Sequence, residues 1–172
     1  MRKLILIIFS VLLMACISSV YAALFSLHST GFNEGEKLDT IYTCEGKDIS
    51  PQLNWDHAPT KTVSFALILS DPDAPGGTFY HWLLFNIPHS VTSLAENIST
   101  LPAGTEAGIN SWNKSQYNGP CPPHGSEHHY IFSLYALDTM LKIDGEANAV
   151  SLLSAIQNHV MGVAKLKVVF SR

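Results

Sequence analysis

The chain has 172 residues, 47% of them apolar and 14% charged, with 10 Lys+Arg against 14 Asp+Glu and a net charge of −4 at neutral pH. That length supports one domain or two small ones, and so apolar a composition excludes a disordered chain. Without the first 22 residues, which hold Arg2 and Lys3 and no acid, 8 bases face 14 acids; phosphate backbones and anionic lipid surfaces repel such a balance, so nucleic acid is excluded as a partner and ligands are expected to be small, neutral or met at a local site.

Met1-Arg2-Lys3 precedes a 14-residue, largely apolar run from Leu4 to Ile17, and Val20 and Ala22 stand three and one before a cut after Ala22. This is the layout of a secretory signal, and the run is short for a bilayer span, which needs about 20 apolar residues. Residues 1–22 are therefore read as an export signal and 23–172 as a single domain, in the periplasm or outside the cell, with no transmembrane span once the signal is removed. Leu13-Met14-Ala15-Cys16 is a loose match to a lipoprotein cut site, which leaves anchoring through Cys16 as a lesser alternative. Export leaves Cys44 and Cys121 as the two thiols of the mature chain; an oxidising compartment favours pairing, while two separate small hydrophobes is the other reading.

The mature segment shows no repeat and no linker. Val63 to Leu69, Trp82 to Ile87, Tyr130 to Leu137 and Leu166 to Phe170 are short β-rich runs bounded by Gly, Pro, Asn and Asp, and the nine prolines fall outside them. They predict buried strands. Asn148 to Met161 carries Val150, Leu153, Ala155, Ile156 and Val160 at near-helical spacing, with Gly162 placed to end a helix that covers the core. The expected fold is mainly β, an antiparallel β-sandwich with one or two short peripheral helices and long Pro/Gly loops.

Two segments carry chemistry. Asp71-Pro72-Asp73-Ala74-Pro75-Gly76-Gly77 follows the first strand, and each proline pushes the residue before it into an extended conformation. Asp71 is thus held at a strand end, either as a turn residue bonding nearby N–H groups or as a site residue. A hairpin closed by this loop would bring His81, which opens the next strand, to the same sheet end. The second segment, Asn118-Gly119-Pro120-Cys121-Pro122-Pro123-His124-Gly125, is a stiff loop whose glycines admit close backbone approach. In the strand that follows, His128 and Tyr130 share one face and His129 takes the other.

Together these segments, with Tyr42-Thr43-Cys44-Glu45-Gly46-Lys47-Asp48-Ile49-Ser50-Pro51-Gln52-Leu53-Asn54-Trp55 and Tyr135-Ala136-Leu137-Asp138, resemble the phosphatidylethanolamine-binding protein family, in particular its bacterial Raf-kinase-inhibitor-like branch. The resemblance spans residues 24 to 172. It implies a β-sandwich with an anion-accepting pocket near one end of a sheet, built from Asp71, His81, His128 and Tyr130, with Gly119 and Pro120 in its wall. Members usually carry Arg where this chain has His129, so any ion pair made there is lost or becomes pH dependent. The two cysteine positions also occur in members without export signals and do not by themselves prove a bond between Cys44 and Cys121.

Imidazoles and a phenol can donate to phosphate oxygens, and Asp71 could raise a neighbouring imidazole's pKa or receive the ammonium of phosphoethanolamine. The expected function is non-enzymatic binding of a phosphate monoester or phospholipid headgroup, with no cofactor. The alternative is a protein-interaction module that inhibits a kinase or protease through the same pocket. Asp71, His81, Cys121, His124 and His128 are acceptable zinc ligands, but no HExxH or CxxC spacing accompanies them. Catalysis lacks a Gly-x-Ser-x-Gly elbow. Phe79, Trp112 and Tyr117 are expected in loops, packed there or exposed as a contact.

Overall fold

The computed structural model describes residues 24–172; the segment read as an export signal, with Cys16, lies outside them. Two antiparallel sheets form the fold. The smaller has the order β1–β2–β5, from Ser26–His28, Leu53–Asp56 and Ser93–Leu94. The larger has the order β6–β4–β3–β7–β8, from Glu106–Ala107, Phe79–Pro88, Ser64–Asp71, Glu127–Leu137 and Val160–Ser171. One helix, α1 (Ala149–Ile156), and a 3₁₀ turn at Thr40–Tyr42 complete the elements. No helix among the described residues is long and apolar enough to cross a membrane.

The central strand β3 is buried on both faces, which is why its sequence is a continuous apolar run and not an alternating one. Phe65, Leu67 and Leu69 face the smaller sheet, where Trp55 packs edge-on against Phe65 with ring centroids 5.5 Å apart. Ala66 and Ile68 face the opposite side and meet Leu152 and Ile156 of α1. In β8, Ala164, Leu166, Val168 and Phe170 point inward while Lys165 and Lys167 stay in solvent, the period-2 pattern of a sheet wetted on one face. All four sequence runs thus fall in strands that extend beyond them, except that Val63 stands one residue before β3.

The helix is shorter than the sequence pattern predicts. Asn148 caps its start by accepting from the Val150 and Ser151 N–H groups, and its residues end at Ile156 with Gln157 as the C-cap. Val160 instead pairs with Leu137 at the start of β8, and Gly162 lies opposite Ala136 within that strand, where a Cβ would press on Pro59. Long-range pairing of a β-branched stretch overrides the helical spacing. The buried face of the helix is Ala149, Leu152 and Ile156, and Val150 is exposed.

Candidate functional site

Strands β4, β3 and β7 are neighbours, and at one end of the larger sheet they bring together four polar side chains that water scarcely reaches: Asp71, His81, His128 and Tyr130. The hairpin expected from the sequence forms, with Asp71 opposite Phe79. Pairing steps from Leu69 with Trp82 to Ser70 with Tyr80, leaving His81 as the extra residue of a β-bulge. Such a bulge re-aims a side chain, and here His81 and the following Trp82 both pack against the inner cluster. On β7, His128 and Tyr130 alternate inward with the exposed His129 outward, as parity requires.

Each polar group is held by identifiable partners. Asp71 Oδ2 lies 2.7 Å from His128 Nδ1, and Asp71 Oδ1 accepts from the Asp73 N–H at 2.9 Å. The turn reading and the site reading of Asp71 therefore both hold, one for each carboxylate oxygen. With both oxygens engaged and the residue 3% exposed, Asp71 orients His128 and is poorly placed to receive a ligand ammonium. His81 Nδ1 donates to the carbonyls of Asn118 and Gly119 at 2.9 and 3.1 Å. Burial pushes the His81 pKa down, against the opposing effect of those carbonyls and of Asp71 and Asp48. Burial also raises the Tyr130 pKa, reinforced by the nearby negative charge of Asp71. His81 Nε2 is buried without a protein hydrogen-bond partner, which is unusual for an interior polar atom; Tyr130 Oη makes no well-formed hydrogen bond either, but it lies within reach of the Asp71 carboxylate and the Cys121 backbone.

Above these groups opens a cavity of about 290 Å³ lined by Asp71, Ala74, Pro75, Phe79, His81, Trp112, Cys121, Pro122, Pro123 and His128. Tyr130 lies under this lining, its ring 5.2 Å from that of His81 and 6.5 Å from that of His128. Gly119 and Pro120 do not line the cavity. Their place behind it is set by close approach: a Cβ on Gly119 would collide with the Tyr42 carbonyl, and the Pro120 carbonyl accepts from the Cys44 N–H. The wall is supplied by the next three residues, and Cys121 is bonded there to Cys44, with Cα atoms 5.5 Å apart.

Several contributors have no motif to announce them. Trp112 packs edge-on against both Phe79 and His81, with centroids 4.6 and 4.9 Å apart, and Tyr117 is core, its hydroxyl donating to the Tyr42 carbonyl. Asn110 is buried beneath the Trp112 loop: its amide donates to the carbonyls of His81 and Gln116 and to Asn118 Oδ1, and its own oxygen accepts from Trp112 and Lys114 N–H. Asp48 Oδ1 accepts from the Gly119 N–H at 2.6 Å, fixing the loop whose carbonyls hold His81. At the position where Arg is usual, His129 pairs with Asp73 at 2.7 Å on the half-exposed rim, and its backbone N–H does most to lower the Asp73 pKa. Among the described residues no group of three or more His, Cys, Asp or Glu is gathered as metal ligands would be. His124 is exposed, away from the cavity.

The fold and the site define a β-sandwich protein with a small, polar-floored pocket at one end of its larger sheet. The chain belongs to the phosphatidylethanolamine-binding protein family, whose model matches residues 28–171. A UPF0098 protein of Methanothermobacter thermautotrophicus is 44% identical over 144 residues, covering 82% of this chain and 95% of that protein. One from Aquifex aeolicus is 38% identical over 164 residues, covering 86% and 92%. The crystal structure of Escherichia coli YbcL, described as a new member of the mammalian PEBP family, is similar with a TM-score of 0.83 and 32% identity, covering 87% of this chain and 99% of that one.

Proposed function

We propose that this is an exported, non-enzymatic binding protein whose pocket holds the phosphate of a monoester or of a phospholipid headgroup such as phosphoethanolamine. The observation that carries the reading is the buried, unpartnered His81 Nε2, which stands with His128 in the cavity lining while the Tyr130 phenol lies directly beneath. Interior polar atoms call for partners, and a tetrahedral oxyanion offers several acceptors at once, to a phenol and to whichever imidazole Nε2 carries a proton. The cavity sits at the small end of the ~300–1,000 Å³ usual for ligand pockets, which suits a headgroup and leaves acyl chains outside. The apolar rim of Phe79, Trp112 and prolines would meet whatever the phosphate is attached to. Family membership supports binding as the general role; the ligand and export are our reading.

Calorimetric titration with phosphoethanolamine tests it, using Tyr130→Phe and His128→Ala as controls. We expect saturable binding that each variant weakens at least fivefold. Affinities unchanged in both variants would refute the assignment. A second reading, capture of a phosphorylated segment of a kinase or protease, is favoured by the exposure of Trp112 at the rim; it predicts that a phosphopeptide binds more tightly than phosphoethanolamine and that Trp112→Ala removes the difference.

A further inference from the structure

We propose that the pocket takes up its anion together with one proton, so that the bound species is an acid anion, such as a singly protonated phosphate monoester, with that proton shared between an imidazole Nε2 and an anion oxygen. The inference rests on the anion reading above and deepens it. Carbonyl and carboxylate oxygens only accept hydrogen bonds. His81 Nδ1 faces two carbonyls and His128 Nδ1 faces the Asp71 carboxylate, so both rings keep a hydrogen on Nδ1. In a neutral ring the other nitrogen is then a bare lone pair. Two such lone pairs beside a carboxylate form a floor that repels an oxyanion until a proton is added.

Among the described residues no fixed cation lines the cavity to offset this polarity: none of the lining residues is Lys or Arg. Arg172, at the end of the chain, lies behind the wall, where its Nε donates to the Pro122 carbonyl and its Nη1 is 3.5 Å from Glu45 Oε1. Near the two rings stand Asp71 at the end of β3, Asp73 in the turn after it, Asp48 from the loop behind Gly119, and Tyr130 on β7. His129, on the outer face of β7, is engaged with Asp73. The Tyr130 phenol, beneath the lining, stays protonated and has the Asp71 carboxylate beside it, so it supplies at most one donor to the anion. A second donor has to be made, and taking up a proton with the anion makes it. Whether that proton sits nearer nitrogen or oxygen, the stoichiometry is the same.

The test is calorimetric titration of the purified protein with phosphoethanolamine and, separately, inorganic phosphate, in buffers that differ in ionisation enthalpy. Between about pH 8 and 9 the free monoester, with a second pKa of about 6, inorganic phosphate, with a second pKa of about 7, and an ordinary imidazole, at about 6.5, are mostly deprotonated. We expect buffer-dependent heats that report about one proton taken up per ligand, and an affinity that falls about tenfold per pH unit, the linkage slope for one proton. Proton-coupled binding of phosphoethanolamine but not of inorganic phosphate supports the proposal and assigns the anion to an ester headgroup; binding of both assigns it to phosphate itself. Saturable binding with buffer-independent heats and constant affinity overturns the proposal while leaving the anion pocket in place. No binding of either probe across this range overturns both.

Discussion

Replacing Asp71 by Asn would reverse the direction of one hydrogen bond at the bottom of the site. Asp71 now accepts twice, from the Asp73 N–H at 2.9 Å and from His128 Nδ1 at 2.7 Å. Asparagine has a single side-chain acceptor, and the Asp73 N–H can only donate, so the amide oxygen must stay toward Asp73 and the NH₂ must turn to His128. His128 then accepts at Nδ1 and carries its hydrogen on Nε2. A charge-assisted bond worth ~1.5–3 kcal/mol becomes a neutral one worth ~0.5–1.5, a loss of about 1–2 kcal/mol. At ~2–4 °C per kcal/mol for a domain of this size, Tm should fall by about 2–8 °C. Binding should move the other way: the anion meets a standing donor and one negative charge fewer, and a neutral hydrogen bond of about 1 kcal/mol corresponds to roughly fivefold tighter binding at about pH 8, with less proton uptake than the native protein. Nitrogen chemical shifts of the ring identify the tautomer, and calorimetry measures the rest. Retention of the Nδ1–H tautomer in the variant would show that Asp71 does not set it, and weaker binding at that pH with Tm lowered only as expected would show that a missing donor does not limit binding.

Reducing the Cys44–Cys121 bond, or replacing both residues with Ser, opens a loop of 77 residues' separation; the chain-entropy account gives up to about 4.5 kcal/mol, and we expect ~2–4, read as a lower urea midpoint together with weaker ligand binding as the Cys121–Pro123 wall is released. His81 binds its proton less readily folded than unfolded because of burial, so stability should fall as pH drops from the unfolded value of about 6.5 toward the lowered folded value and be unaffected by this group above it; His81→Gln should flatten that part of a urea-midpoint profile, and an unchanged profile would count against it. Leu152→Ala, at a fully buried position between α1 and β3, should cost ~2–5 kcal/mol while leaving phosphoethanolamine affinity within twofold, since the helix covers the sheet face away from the pocket. Asn110→Ala should weaken binding and increase solvent quenching of Trp112 fluorescence, because the residue joins the Trp112 loop to the His81 backbone; unchanged affinity would deny it a positioning role.

Much of the site was legible because its logic is local. Strand parity separates His128 and Tyr130 from His129 without any knowledge of the fold, and two prolines fix Asp71 at a strand end beside a turn that returns the chain to His81. What the sequence left open depends on contacts distant along the chain. The bulge that leaves His81 unpaired arises from the registry of β3 against β4. Gly119 reads as a place for ligand approach, yet it is the Tyr42 carbonyl that comes close, and the cavity wall begins two residues later, at Cys121. Trp112 and Asn110 belong to no motif, and Asn110 acquires its role only once five hydrogen bonds converge on it. The helix fails at its C-terminal end for the same reason: Val160 and Met161 fit a helical period, but a strand 23 residues earlier in the chain claims Val160 through Leu137.

Histidine ring NMR during addition of phosphoethanolamine checks the proposed anion pocket with His81 and His128 in its floor and Tyr130 beneath them. The chain has eight histidines, and those outside the cavity serve as internal controls. Saturable shifts are expected at His81 and His128, with His57, His89, His124 and His159 unmoved. Saturation accompanied by shifts at those four and none at His81 and His128 would contradict that pocket.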